Sequence, residues 1–180
     1  AHATTQWFKA EGDVVFLLGE TREELGGSEY LKVVHGLEVG RPPALDLARE
    51  RAVQQVCLEA IQAGGVSSAH DCADGGLAVA LAESCATTPK AWLGATLTLP
   101  GEMRPDALLF GESASRIVVS VQPDRAESVR AIARRHGVPC VELGVVGGDH
   151  LTLQGQGFSL RLSVEAIHWA WSTGLSRALR

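Results

Sequence analysis

Two stretches gather residue types that could do chemistry at close spacing. The first runs from Ser67 to Gly76 and reads SSAHDCADGG. Its paired glycines let a ligand approach the backbone closely, and a helix starting just beyond them presents unpaired N–H groups. That combination suits a phosphate. Asp71 and Asp74 would repel a phosphate unless a divalent cation stood between them, and Mg²⁺ bridges carboxylate and phosphate oxygens in this way. Asp71 and Asp74 are therefore the candidate carboxylates for a metal, and Asp74, Gly75 and Gly76 form the candidate phosphate turn. A plainer reading stands beside this one. Asp74 can cap the helix, the glycines can make a tight turn, and His70 can be a hydrogen-bonded structural histidine.

The second stretch is Gly111 to Arg116, GESASR. Glu112, Ser113, Ser115 and Arg116 crowd the start of a strand. Hydroxyls and a guanidinium can bind phosphate, and a carboxylate can hold a metal or a polar substrate. The pattern touches the nucleophile elbow G-x-S-x-G but fails it. Ser115 stands where the last glycine belongs, and a strand follows where an elbow needs a helix. Here the plain alternative is a polar turn with Arg116 in a surface ion pair. The site reading requires the carboxylates of residues 71 and 112 to meet beside the glycine turn and to face outward. A third segment, Leu25 to Tyr30 (LGGSEY), reads as a loop by composition.

The surrounding pattern supplies elements to position these residues. Asp13 to Leu18 is a buried strand by its apolar, β-rich run. Asp46 caps a helix to about Ala63, with Leu47, Ala48, Ala52, Val53, Val56, Cys57, Ala60 and Ile61 at helical spacing and Gly64-Gly65 after it. Val66 to Asp71 is a strand, and Leu77 to Cys85 a helix apolar almost all round. Further strands fall on 93–99, 116–121, 141–146, 151–153 and 158–162. Asp124 to His136 is an amphipathic helix. Ser163 caps a last helix through Trp171, with 172–180 as an exposed tail. About six or seven strands and four helices without a long linker predict one α/β (α+β) domain over residues 1–180, a mixed sheet packed with helices.

Composition agrees with a globular domain. The chain has 180 residues, 46% hydrophobic and 21% charged, enough for one full core. A net charge of −5 argues against nucleic acid and anionic membranes as partners. No apolar run approaches the roughly 18 residues of a membrane span, and no secretory signal opens the chain. Cys57, Cys72, Cys85 and Cys140 lack metal-ligand spacing and read as reduced thiols of a cytoplasmic protein.

Taken together, the segments Leu25–Tyr30, Ser68–Ala78 and Phe110–Arg116, with the Gly40-Arg41-Pro42-Pro43 break, carry a resemblance. In order and spacing the chain resembles the C-terminal part of the phosphoribosylformylglycinamidine synthases, within the wider AIR synthase-related superfamily. The likeness covers nearly the whole chain and is similar to the C-terminal domain of the second half of the synthetase subunit. It implies an ATP- and Mg²⁺-dependent conversion of formylglycinamide ribonucleotide, with glutamine-derived ammonia, to the amidine in purine biosynthesis. The implied partners are the remaining synthetase domains, a glutaminase subunit and a small accessory subunit. The family's metal aspartate falls on Asp71, and its Glu-Ser-Gln substrate contact on Glu112-Ser113-Ala114. Ala73 and Ala114 depart from the family's serine and glutamine, and each change removes a hydrogen-bonding side chain. The implied site is a pseudo-site, and the domain alone is expected to be inactive. Two other readings are an independent nucleotide- or phosphate-binding module and a purely structural domain of a related ATP-dependent enzyme.

Overall fold

The computed structural model describes residues 3–88 and 92–179, and one sheet organises them. Its strands are β1 (Val14–Leu18), β2 (Val66–Asp71), β3 (Ala95–Thr98), β4 (Ile117–Val121), β5 (Cys140–Val146), β6 (His150–Gly155) and β7 (Phe158–Ser163). They lie in the order β2-β4-β1-β5-β3-β6-β7. β3 and β6 run parallel, and every other neighbouring pair is antiparallel. The fold is α+β with a mixed sheet in a single domain.

Side chains on a strand alternate between faces, and here both faces are covered. Phe16, Leu18, Val119 and Val121 pack on one face with Val53, Val56 and Ala60 of α2 (Leu47–Gln62) and Val129 and Ala133 of α5 (Ala126–Arg135). Val15, Leu17 and Val118 look the other way. They meet Leu77 and Leu81 of α3 (Gly76–Ala86) and Leu108 and Leu109 of α4 (Pro105–Phe110). A strand buried on both sides needs no polar alternation, which is why β1 reads VVFLL. α1 (Glu29–His35) and α6 (Val164–Ala178) complete the helices, with a turn of 3-10 helix at Pro123–Arg125.

Two sequence expectations need correction, and one helix had no expectation attached. The segment Leu25 to Tyr30 is a loop only as far as Ser28, the cap of α1. That helix buries none of its residues, so no apolar periodicity announces it. Residues 105–110 form α4, with Pro105 in the first turn and only a short apolar run, which a sequence pattern cannot assign to helix or strand. The tail expected from residue 172 is helical to Ala178, although exposed as expected. Its lone Gly174 does not stop a helix that has no proline.

Candidate functional site

The two motif loops meet at the N-terminus of α3. β2 and β4 are antiparallel neighbours, with Asp71 opposite Ile117, so the end of one strand lies beside the start of the other. The backbone N–H of Cys72 donates to the Arg116 carbonyl at 3.0 Å, extending that pairing by one step. The turn then closes on Gly76, whose φ is +70°. A Cβ on Gly76 would stand 2.5 Å from the Gly111 carbonyl oxygen and 2.9 Å from the Phe110 carbonyl carbon. The second glycine is thus required by the approach of the GESASR loop. Backbone already fills the space that a ligand would need at this position.

Glu112 fastens the junction. One carboxylate oxygen, Oε1, accepts from the Gly75 N–H at 2.9 Å and from the Glu29 N–H at 2.8 Å. These N–H groups open α3 and α1, where no earlier turn supplies an acceptor. A half-buried negative charge also suits two helix N-termini. Tyr30 of α1 stacks on Phe110 with ring centroids 4.9 Å apart, so three separate segments lock together here. Gly26 completes the arrangement, since a side chain on it would run into the backbone of Arg41 at the Gly-Arg-Pro-Pro break.

The other residues of this loop turn inward. Arg116 is only 2% exposed. Its Nε donates to the Ser113 carbonyl at 2.9 Å, one Nη to the Gly111 carbonyl at 2.6 Å, and the other to Thr21 Oγ1 at 3.2 Å. Burial pulls its pKa below the usual arginine value. Neither a surface ion pair nor a phosphate contact describes this residue, because its donors knit the loop to itself. Ser113 Oγ accepts from the Arg22 N–H and donates to the Arg22 carbonyl. Ser115, with a left-handed φ of +62°, donates to Glu50 of α2 at 2.6 Å. Glu50, Arg22 and Thr21 are partners that no local pattern indicates. They lie 65, 91 and 95 residues away in sequence from the groups they hold.

Asp71 turns outward. Its side chain is 73% exposed. With Asp74, His70, Ala73, Ala80 and Glu83 it lines a pocket of about 220 Å³. His70 Nε2 and Glu83 share a hydrogen bond of 2.7 Å, the structural role open to that histidine. Glu112 does not line that pocket. The expectation that both carboxylates face outward is corrected for Glu112, one oxygen of which is spent on the Gly75 and Glu29 N–H groups. Among the described residues no three His, Cys, Asp or Glu side chains are grouped to hold a metal ion. The pocket cannot cage a cation unaided. Asp71 and Asp74 do fit the one or two carboxylates that Mg²⁺ uses when phosphate oxygens and water complete its shell.

Against known proteins, residues 10–156 match the family described as AIR synthase related protein, C-terminal domain. The chain belongs to that family. The phosphoribosylformylglycinamidine synthase subunit PurL of Anaeromyxobacter dehalogenans (strain 2CP-C) is 50% identical over 181 residues, covering 96% of this chain and 23% of the relative. The chain thus spans about a quarter of the length of such relatives. Among solved structures, T. maritima PurL complexed with ATP superposes with a TM-score of 0.71 at 22% identity, over 93% of this chain and 27% of that one. T. maritima PurL complexed with FGAR gives 0.71 at 23%, over 92% and 29%. At that identity the likeness establishes the fold.

Proposed function

We propose that the chain acts as the C-terminal domain of a phosphoribosylformylglycinamidine synthase synthetase subunit. The full enzyme would use ATP, Mg²⁺ and glutamine-derived ammonia to convert formylglycinamide ribonucleotide to its amidine, in the cytoplasm, beside a glutaminase subunit and a small accessory subunit. The observation that carries this reading is the 50% identity with a PurL over 96% of the chain. ATP and FGAR in the T. maritima PurL crystals support the ligand classes.

Within such an enzyme the domain's own residues contribute mainly architecture. Glu112, Ser113, Ser115 and Arg116 shape the loop that holds the glycine turn in place. Asp71 and Asp74 offer carboxylates to the Mg²⁺ of a metal–phosphate ligand, with no hydroxyl at Ala73 to assist. This division of labour favours a pseudo-site over a catalytic one. The exposed apolar side chains around α1, Val33, Val34, Leu37, Val39, Leu45 and Leu47, suit contact with the remaining synthetase domains.

The test is an assay of ATP- and ammonia-dependent amidine formation, with the chain alone and with a PurL lacking its C-terminal quarter supplied in trans. No turnover alone, and turnover restored by the mixture, is the expected pair of results. Turnover by the chain alone, or failure of the mixture, would overturn the proposal. Micromolar binding of Mg-ADP to the chain alone would instead favour the independent nucleotide-binding module.

A further inference from the structure

We infer that Glu83 is a positioning residue for Asp71, acting through the imidazole of His70, so that a carboxylate offered to a metal–phosphate ligand is held in place from α3. The inference rests on the proposed reading of Asp71 as a carboxylate for the Mg²⁺ of such a ligand, and it adds the two side chains that prepare it.

Successive side chains on a strand point to opposite faces of the sheet. His70 and Asp71 are the last two residues of β2. His70 stands opposite Val118, whose side chain packs on the α3 face, so His70 belongs to that face. Alternation would send Asp71 to the other one. Its Oδ1 lies instead 3.5 Å from His70 Nδ1, and both residues line one pocket with Ala73, Asp74, Ala80 and Glu83. The strand end has therefore brought the Asp71 carboxylate round to the imidazole.

The imidazole is itself fixed. Its side chain is only 14% exposed, and Nε2 shares the 2.7 Å hydrogen bond with Glu83 Oε2. Ala80, one turn before Glu83 on the same face of α3, is buried and small enough to leave the ring room. One imidazole thus stands between two carboxylates, Glu83 at Nε2 and Asp71 at Nδ1. The bond from Glu83 decides which nitrogen and which edge of the ring Asp71 meets. Asp71 needs such a neighbour, because an exposed carboxylate on a strand end otherwise moves among several rotamers, and a ligand carboxylate binds best when its orientation is set beforehand. Glu83 acts only through His70, since its own carboxylate oxygen is taken by the ring.

The experiment is binding of Mn²⁺–pyrophosphate to the 180-residue chain, read by the enhancement of water-proton relaxation as the paramagnetic ion is taken up. Mn²⁺ shares the preference of Mg²⁺ for carboxylate oxygen and water. The natural chain binds saturably, and Asp71→Asn loses that binding. Glu83→Ala weakens it about tenfold, and so does His70→Phe, which keeps a ring but removes both nitrogens. Glu83→Gln stays within about threefold, because its amide oxygen still accepts from Nε2. Unchanged circular dichroism confirms that the variants fold. If Glu83→Ala and His70→Phe bind as tightly as the natural chain while Asp71→Asn does not, this inference alone is overturned. A loss in Glu83→Gln as large as in Glu83→Ala overturns it too, because charge and not placement of the ring would then be at work. No saturable binding by the natural chain, or none lost in Asp71→Asn, overturns the reading of Asp71 beneath it, and the inference with it.

Discussion

Arg116 is the residue on which the candidate site depends most. Its guanidinium lies under the GESASR loop with three donors directed at Ser113, Gly111 and Thr21. Removing it strands two carbonyl oxygens and leaves Glu24 and Glu112 without the positive charge that faces them. Arg116→Met should lower stability by about 2–4 kcal/mol in urea unfolding. Arg116→Lys should recover little, because an ammonium cannot reach three separate acceptors in a plane. Gly76→Ala should be similarly costly, about 2–4 kcal/mol, since it combines a left-handed φ with a Cβ against backbone. Glu112→Gln keeps an oxygen acceptor for both helix starts and should be milder than Glu112→Ala in the same measurement. The thiols behave differently. Burial pushes Cys57 and Cys140 up to about 11 and Cys85 up to about 12. Labelling of native protein by a disulfide reagent at pH 8 should accordingly be slow and should quicken about tenfold per pH unit. Cys140, the only one of these three not fully buried, should react first.

Elements show why some of this was legible beforehand and some was not. α2 was readable because its cap and its periodic face agree. Asp46 accepts from the Ala48 and Arg49 N–H groups, and Val53, Val56, Cys57 and Ala60 are buried. Those two backbone bonds hold the Asp46 carboxyl below its ordinary value of 3.8. A carboxyl depressed in the folded state stabilises above its unfolded pKa, and that contribution is lost as pH falls through the lower, folded value. Thermal melts between about pH 2 and 6 should show a shallower acid loss for Asp46→Asn than for the natural chain. α1 gave no such signal. It is only seven residues long and is fixed from outside, by the Ser28 cap, the left-handed Gly36, the stacked Tyr30 and the carboxylate of Glu112. Two of those contacts, from Phe110 and Glu112, come from a segment about 80 residues away, and helix propensity alone cannot sustain so short a segment. Ser28→Ala should loosen α1 selectively. Hydrogen exchange should quicken at Leu31 and Lys32 while β1 and β4 keep their protection.

On the scale of the whole molecule, the alternating cores made the mixed sheet legible, whereas the site was legible only as a set of motifs. The two motif loops, 71–76 and 111–116, meet at the start of α3. Spacing could not show that Gly76 answers to Gly111, that Glu112 is occupied by backbone, or that Arg116 faces inward. The first two depend on partners 35 or more residues away, and the third on one such partner, Thr21, beside two carbonyls of its own loop. Sheet order has a further result. β1 precedes both of its neighbours along the chain and sits between β4 and β5, with Val14 opposite both Val121 and Val145. At a synthesis rate of about 5–20 residues per second, a nascent chain waits several seconds to tens of seconds with its most apolar strand unpaired. During that interval VVFLL is open to aggregation or to a chaperone. A ribosome stalled before Cys140 would leave β1 held on its β4 side alone, with the other edge of the strand still open.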